Sequence, residues 1–467
     1  MGVIIATFKT PDGNYVYDRE TNSLLSVSDI EWISFRRIEG GFADESDWKL
    51  LKRYKNQGYL QESCLRKIEH PATSYMRHQL ESNMLQLNLQ IVQSCNLRCS
   101  YCTYGGGYEH QRTHTDKTMT MSTMKKAVDF LMSHSRNVED VVLGFYGGEP
   151  LLKIDIIKAC IEYVKTFYRG RSVNYTVTTN GTIFSDENIQ FLQENNFIVS
   201  ISLDGPKDLH DKNRVFADGR GSFDVIMTNL EYIKTRYPEF FSKISFLVTV
   251  SPGTDFSCTN DFFNASDIMS DNTIRQTIVN AFSSKEDVLY DDLYTVTYSY
   301  NHMKVLLAAL GMYSKEKVST LFTTILVDAE RIYENLSKVK LTEKAHPSGP
   351  CLPGVMRPFV ACDGSLYPCE RVNEDSDVMK IGHVDSGFDI KKVDAILNIG
   401  KVTDVECKSC WNFMHCGLCV SSSDGGTLIC KDLRLKNCEA MKNSTIDKMM
   451  NICLLLENGY DFERKTI

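Results

Sequence analysis

Three cysteines lie within eight residues in the pattern C-x3-C-x2-C, at Cys95, Cys99 and Cys102. Three thiolates this close can share one iron–sulfur cluster, although a four-iron cluster normally takes four cysteine ligands. The missing ligand leaves one iron open, and an open metal position is where a substrate or cofactor binds. A structural zinc site is the alternative interpretation, and it needs a fourth ligand close by, for which His110 is the candidate.

Nine of the 16 cysteines lie between Cys351 and Cys438, and the densest part reads C-x2-C-x5-C-x2-C from Cys407 to Cys419. In a secreted chain so many cysteines would indicate disulfides, whereas in a reducing cytoplasm they indicate metal ligation or catalysis. Paired C-x2-C groups fit either two zinc sites or further iron–sulfur clusters. The scattered cysteines, which we interpret as small buried hydrophobes, are Cys64, Cys160, Cys258 and Cys453.

The elements that position the first cluster alternate between strand and helix from residue 85 to residue 250. Repeated β-α units of this length imply parallel strands with right-handed crossovers, hence an α/β barrel or open sheet. Ligands of such folds collect at the C-terminal ends of the strands. The first cysteine cluster directly follows the strand LQLNLQIV, so we expect it at that edge.

Three further motifs follow successive predicted strands, at residues 147–150 (GGEP), 179–182 (TNGT) and 202–206 (SLDGP). Paired glycines allow a backbone to approach a ligand closely, and the carboxylate of Glu149 can hold an ammonium group. The guanidinium of Arg214 suits a carboxylate because its planar fork binds both oxygens. The sequence therefore predicts one ligand site shared by several strand ends.

Together these motifs, with Tyr101 before the last cysteine, resemble the radical S-adenosylmethionine (radical SAM) superfamily. The resemblance implies a partial (β/α)6 barrel. It also implies a 4Fe-4S cluster whose open iron is chelated by S-adenosylmethionine, from which a 5′-deoxyadenosyl radical is released. The GGEP segment would contact the methionine amino group, and Ser202 and Arg214 the ribose and carboxylate ends. The cofactor-binding residues implied are Tyr101, Gly147, Gly148, Glu149, Thr179, Asn180, Ser202 and Arg214.

The C-terminal cysteines, with the segment DGSLYPC, resemble the SPASM extension of radical SAM enzymes, which holds two auxiliary 4Fe-4S clusters. The family has three residues before the last cysteine of the run, where this chain has two. The outer cluster ligands implied are Cys407, Cys410, Cys416 and Cys438. The inner cluster ligands implied are Cys351, Cys369 and Cys419, which leaves one iron open unless a surplus cysteine binds it.

The roles of two surplus cysteines and one carboxylate stay open at this point. Cys362 or Cys430 is a candidate fourth ligand of the inner cluster, and Cys362 is equally a structural thiol in a strand. Glu370 follows Cys369 where anaerobic sulfatase-maturating enzymes, which also carry SPASM, have a catalytic base. A supporting or surface role for Glu370 is the alternative.

The expected domains are a winged-helix-like module over 1–84, the barrel over 85–310, a helical bridge over 311–345 and the SPASM domain over 346–467. Residues 49–77 hold seven Lys or Arg and two Glu. That segment is either a solvated helix face or a docking surface for an acidic peptide. Peptide-modifying SPASM enzymes often begin with such a leader-recognition module.

Composition limits the functional classes. With 42% hydrophobic and 24% charged residues the chain has the composition of a globular protein, and its formal net charge of −8 argues against nucleic-acid binding. No apolar stretch is long enough for a membrane span, and the N-terminal residues lack a signal-peptide core. We therefore expect a cytoplasmic protein with no membrane or nucleic-acid partner.

The resemblance extends to maturases that form thioether crosslinks in Cys-rich ribosomal peptides, the sactipeptide and ranthipeptide group. It implies a leader-bearing precursor peptide as substrate and an electron donor such as flavodoxin or ferredoxin. The alternatives are carbon–carbon crosslinking, formylglycine formation as in sulfatase maturases, and, outside enzymes, a scaffold with structural zinc.

Overall fold

The computed structural model of the chain describes residues 2–266, 269, 272–347 and 351–463. Within those ranges, none of the helices combines the length and apolar character that a membrane span requires. The chain folds into an N-terminal module, a parallel sheet with flanking helices, a pair of connecting helices and a cysteine-rich C-terminal part.

The N-terminal module is an antiparallel three-stranded sheet covered by two helices. Ser28 and Asp44 each start a helix with a capping box, in which the cap side chain and the third helical residue bond each other's backbone. Val16, Phe35 and Leu51 fill the core of the module. Its elements are β1 (Ile5–Lys9), β2 (Asn14–Asp18), β3 (Ser23–Val27), α1 (Asp29–Gly40) and α2 (Glu45–Asn56).

The basic residues of α2 are partly neutralised by neighbours. Lys49 contacts Glu45 one turn earlier, and Arg53 contacts Glu31 on α1. Exposed pairs of this kind contribute little stability. Their presence favours a solvated face for this part of the basic segment.

The elements after the N-terminal module include the strand–helix alternation predicted from the sequence. In chain order they are β4 (Lys67–Ile68), α3 (Met76–Ser82), β5 (Gln86–Val92), β6 (Leu97–Cys99), α4 (Met121–His134), β7 (Asp140–Gly147), α5 (Ile154–Phe167), β8 (Ser172–Thr179), α6 (Asp186–Glu194), β9 (Ile198–Ser202), α7 (Lys207–Asn213), β10 (Arg214–Phe216), α8 (Phe223–Arg236), α9 (Pro238–Phe241), β11 (Ile244–Val250), α10 (Phe256–Ala265) and β12 (Thr273–Ile278). Of these, β4, β6 and β10 lie outside the barrel sheet.

Six parallel strands pair in the order β5-β7-β8-β9-β11-β12, which is also their order along the chain. This confirms the expected partial (β/α)6 barrel. The strand ends at Val92, Gly147, Thr179 and Ser202 lie along one edge, because adjacent parallel strands run in the same direction. The motifs singled out in the sequence all follow or end these strands.

Alternation along β5 gives the sheet two different faces. Leu87, Leu89 and Ile91 are fully buried in the main hydrophobic core, which also contains side chains of the flanking helices. The intervening Asn88 and Gln90 hydrogen-bond to side chains of the C-terminal part. The concave side of the barrel is therefore polar at this strand.

The C-terminal part continues the barrel sheet. Its first hairpin strand pairs in parallel with β5, and three antiparallel strands follow it. The remaining elements are α11 (Asp292–Ala309), α12 (Thr323–Asn335), β13 (Lys344–Ala345), β14 (Phe359–Val360), β15 (Ser365–Tyr367), β16 (Gly382–His383), β17 (Gly387–Phe388), α13 (Ile390–Leu397), α14 (Asp404–Lys408), α15 (Lys431–Lys436) and α16 (Cys438–Glu457).

Candidate active site

The loop after β5 brings Cys95, Cys99 and Cys102 together. Burial, together with the neighbouring Glu149, Cys99 and Cys102, raises the pKa of Cys95 to about 12. Buried thiols that oppose one another's ionisation become thiolates when a metal compensates their charge. The loop therefore suits a cationic metal centre.

The fourth ligand expected for a zinc alternative lies elsewhere. The ring of His110 lies against Gly426, where a Cβ would come within 2.6 Å of it. The histidine beside the cysteines is His114, whose Nε2 lies 3.9 Å from Cys102 Sγ. In the described ranges, no three His, Cys, Asp or Glu side chains meet closely enough to hold a single metal ion.

Glu149 joins the ends of β7 and β8 from a fully buried position. Its carboxylate accepts hydrogen bonds from Asn180 N at 2.7 Å, Thr179 Oγ1 at 2.8 Å and Leu151 N at 3.0 Å. Burial raises its pKa to about 7, against the lowering effect of these donors. A carboxylate held ready in this way can bind an ammonium group next to the cysteine loop.

The two glycines before Glu149 lie against the chain that leads into the cysteine loop. A Cβ on Gly147 would lie 2.3 Å from Val92 O, and one on Gly148 would lie 2.1 Å from Ser94 O. Their predicted contact with the cofactor stays a prediction. Because the two glycines have no side chains, the loop can pack directly against the end of β7.

Asp204 organises the residues expected to bind the far end of the cofactor. Tyr101 donates its phenol proton to this carboxylate, and Arg214 Nε pairs with it at 2.9 Å. Arg214 Nη1 also lies 4.0 Å from Cys99 Sγ. Sequence reasoning missed Asp204, although it lies within the SLDGP motif. Ser202 ends β9 half-buried at the same edge, and its role stays a prediction.

The C-terminal cysteines lie in two sets, an inner one (Cys351, Cys369 and Cys419) and an outer one (Cys407, Cys410, Cys416 and Cys438), and their roles as cluster ligands stay predictions. Burial, together with the neighbouring Glu370, Cys419 and Cys351, raises the pKa of Cys369 to about 12. Burial also raises the pKa of Cys410 to about 11. Neighbouring thiols of the outer set oppose the ionisation of Cys407 and Cys438.

Cys362 lies apart from both sets. Its thiol donates to Gln90 O of β5 at 3.2 Å, and its backbone N–H bonds Gln90 Oε1 at 3.1 Å. These contacts favour the structural interpretation over ligation. Cys430 precedes α15 and bonds Ser423 O through its backbone N–H at 2.8 Å, and its ligand role stays a prediction.

Glu370 lies between the inner cysteine set and the barrel. It is 6% exposed, forms an ion pair with Arg357 and accepts a hydrogen bond from Asn88 Nδ2 at 3.3 Å. Burial raises the pKa of Tyr146, and the Glu370 carboxylate and Cys102 thiol raise it further. Tyr146 thus lies between the first cysteine cluster and Glu370. Sequence analysis did not single out Tyr146 or Asn88. The available signals were the position of Tyr146 directly before GGEP and the alternation of polar residues along β5.

A buried ion pair ties the cysteine loop to the C-terminal part. Arg112 Nε pairs with Glu374 at 2.9 Å, and its guanidinium lies 3.6 Å from the centre of the Tyr104 ring. Gln90 Nε2 donates to the same carboxylate at 2.7 Å. Removing either partner of this ion pair would leave the other charge buried without compensation, so a substitution of Arg112 or Glu374 should strongly destabilise the loop.

The N-terminal module contacts the outer cysteine set through Arg19, which is fully buried. Its Nη1 donates to Lys408 O at 2.7 Å and Cys410 O at 3.3 Å, while Nη2 donates to Ser63 and Glu20. The backbone of the Cys407–Cys410 loop is therefore held from the module.

This geometry agrees with the comparison to known protein families, in which residues 89–263 match the model described as Radical SAM superfamily. Residues 89–263 therefore form a radical SAM domain. The cysteine-type anaerobic sulfatase-maturating enzyme of Clostridium novyi (strain NT) is 29% identical to it over 338 residues, 68% of this chain and 82% of that protein. The serine-type anaerobic sulfatase-maturating enzyme of Bacteroides thetaiotaomicron is 32% identical over 141 residues, 30% of this chain and 34% of that protein.

A solved structure has a similar fold. It is described as native anSMEcpe with bound AdoMet and Cp18Cys peptide, and it matches with a TM-score of 0.56 at 19% identity. The match covers 79% of this chain and 98% of that one. The radical SAM domain implies one 4Fe-4S cluster and S-adenosylmethionine, and the buried thiol trio and the buried Glu149 carboxylate fit those groups.

Glu149→Gln is predicted to weaken S-adenosylmethionine binding about ten- to hundredfold, because it removes a charge-assisted contact to the amino group. With a pKa near 7, the wild-type carboxylate gains its charge as pH rises through that value. Wild-type affinity should therefore strengthen from about pH 6 to about pH 8, and the variant should show no such change. Equilibrium dialysis across this pH range measures the loss of affinity in the variant and the pH dependence of the wild type, with the exposed Glu187→Gln as control. Equal affinities for all three proteins would contradict the assignment.

Proposed function

We propose that the chain is a radical SAM maturase that modifies a Cys-containing ribosomal peptide and forms a thioether between the cysteine sulfur and a carbon. The N-terminal module carries this proposal, because it has its own core and is attached to the outer cysteine set. A module of this kind is suited to hold the leader of a precursor peptide. We further propose that the C-terminal part is a SPASM domain with two auxiliary clusters, and that flavodoxin or ferredoxin supplies electrons.

Forming a thioether removes two hydrogens from the peptide, one from the acceptor carbon and one as the thiol proton. When bound, S-adenosylmethionine and the clusters supply the radical that takes the carbon hydrogen, and they accept the remaining electron. Glu149 holds the cofactor's amino group, while Arg214 and Asp204 order its other end. Glu370 takes the thiol proton, since it is the carboxylate beside the inner cysteine set.

Formylglycine formation is the second candidate, and the similarity to cysteine-type sulfatase-maturating enzymes favours it. That product exchanges the cysteine sulfur for an aldehyde oxygen. Both candidates begin with hydrogen removal from a peptide carbon, so they share the barrel residues. They differ in what happens to the sulfur.

The test is to incubate the reconstituted, reduced enzyme with two probes and measure the products by mass spectrometry. One probe is the Cp18Cys peptide, and the other is a synthetic Cys-rich peptide with an N-terminal leader segment. Loss of two hydrogens and of one free thiol from the Cys-rich peptide supports the thioether, and its Cys→Ala version is the control. Aldehyde in Cp18Cys supports the second candidate. S-adenosylmethionine cleavage with both peptides unchanged would contradict both.

A further inference from the structure

Helix α11 carries apolar side chains on two opposite faces. Tyr298, Val305 and Ala308 lie on the face packed against the rest of the protein, and Tyr298 contacts Phe256 with ring centroids 5.6 Å apart. A helix that is apolar all round is normally buried on all sides. The opposite face of α11 is exposed.

Five apolar residues of α11 form that face, and we call them the α11 seam: Leu293, Val296, Tyr300, Met303 and Leu307. Their spacing alternates strictly between three and four positions. Leu293 is 49% exposed, Val296 is 65% exposed and Tyr300 is 50% exposed, whereas Leu307 is half-buried. A contiguous exposed apolar patch of this kind marks an interaction site.

The spacing defines the partner as another helix. An average repeat of 3.5 residues, kept over the two heptads from Leu293 to Leu307, is the pattern that packs knobs into holes against a second helix with the same repeat. A scattered surface of apolar residues would not keep this period. The α11 seam itself supplies such a helix if two copies of the chain meet around a two-fold axis.

Charge selects the direction of pairing. Asp291 and Asp292 lie at the start of α11, and Lys304 lies in its last two turns. An antiparallel pair places each acidic end beside the partner's basic end and opposes the two helix dipoles, whereas a parallel pair places like charges together.

We propose that the chain forms a homodimer in which the α11 seams of two copies pack antiparallel across a two-fold axis. In this register Val296 lies against the partner's Tyr300 and Leu293 against the partner's Met303. The interface is at the small end of the stable range, so the dimer should dissociate at low micromolar or submicromolar concentration. The proposal is independent of the substrate proposed above.

Sedimentation velocity of the full, cluster-loaded chain over a range of concentrations tests the dimer. We expect a concentration-dependent species of twice the chain mass for the wild type. Val296→Lys and Tyr300→Glu should each be monomeric, because each buries a charge in the seam. Both should keep α11 folded, since the new Lys lies four residues after Asp292 and the new Glu four residues before Lys304.

Mixing the two variants gives the sharper result. The antiparallel register places the new Lys against the partner's new Glu, so the mixture should dimerise where neither variant does alone. Ile30→Glu, at a 79% exposed apolar position on α1, is the matched control and should dimerise like the wild type. A wild type that is monomeric throughout, or a dimer that survives Val296→Lys, would overturn the proposal. Single variants that are monomeric but not rescued by mixing would overturn the antiparallel arrangement.

Discussion

Replacing Cys95, Cys99 and Cys102 together by alanine should remove about four of about twelve irons per chain and abolish S-adenosylmethionine cleavage. These thiols gather in the loop after β5, and the C-terminal cysteines form separate sets. The auxiliary clusters should therefore load normally in the variant. Iron and sulfide analysis of anaerobically reconstituted protein, with an assay for 5′-deoxyadenosine, measures both effects.

Cys362→Ala is the matched control, because it removes a buried thiol that lies in neither C-terminal set. It should retain all of the iron and full cleavage. Zinc in place of iron, with no cleavage by the wild type, would contradict the radical SAM assignment of the loop. Only about eight irons per wild-type chain would contradict the proposal that the chain holds two auxiliary clusters.

The barrel could be predicted from the sequence because the sequence patterns that specify its strands and helices are local. Each strand shows its own apolar pattern, each helix its own period, and the handedness of β-α-β crossovers fixes their order. The edge that carries Cys95, Glu149 and Thr179 follows from that order. The structure confirms it, with the strands in chain order.

The roles of single residues within the site depend on distant contacts that no local pattern contains. Gly147 and Gly148 contact the backbone of Val92–Ser94, and no strand pattern in the sequence indicates which segment packs against them. Asp204 binds Tyr101, which is 103 positions away in the chain. Alternation shows which face of a strand a residue occupies, but not what lies opposite.

Cys362 illustrates the same limit. Its place between Cys351 and Cys369 made it a candidate ligand, because sequence proximity was the available measure. In the fold, β14 pairs with β5 and carries the following Cys362 to Gln90. The thiol is satisfied there by a backbone carbonyl, which a sequence pattern does not show.

Glu370→Gln should separate the peptide reaction from cofactor cleavage. The carboxylate is 6% exposed, beside the inner cysteine set, and Arg357 and Asn88 hold it toward the barrel. Loss of a general base costs about a hundred- to ten-thousandfold in rate. We expect product formation to fall by this amount while 5′-deoxyadenosine is still released, so that much more of it forms for each product molecule.

Two variants distinguish a role of Glu370 as the general base from a role that depends only on its ion pair with Arg357. Glu370→Asp keeps a carboxylate and should recover part of the product rate, whereas a purely steric role predicts an active Gln variant, because Gln has the shape of Glu, and a less active Asp variant. Arg357→Gln removes the ion pair but leaves the carboxylate, so it should lower product formation less than Glu370→Gln does. If Glu370→Gln and Arg357→Gln instead lower product formation and cofactor cleavage equally, the pair is a structural brace. The base must then be sought among the other groups at the inner cysteine set.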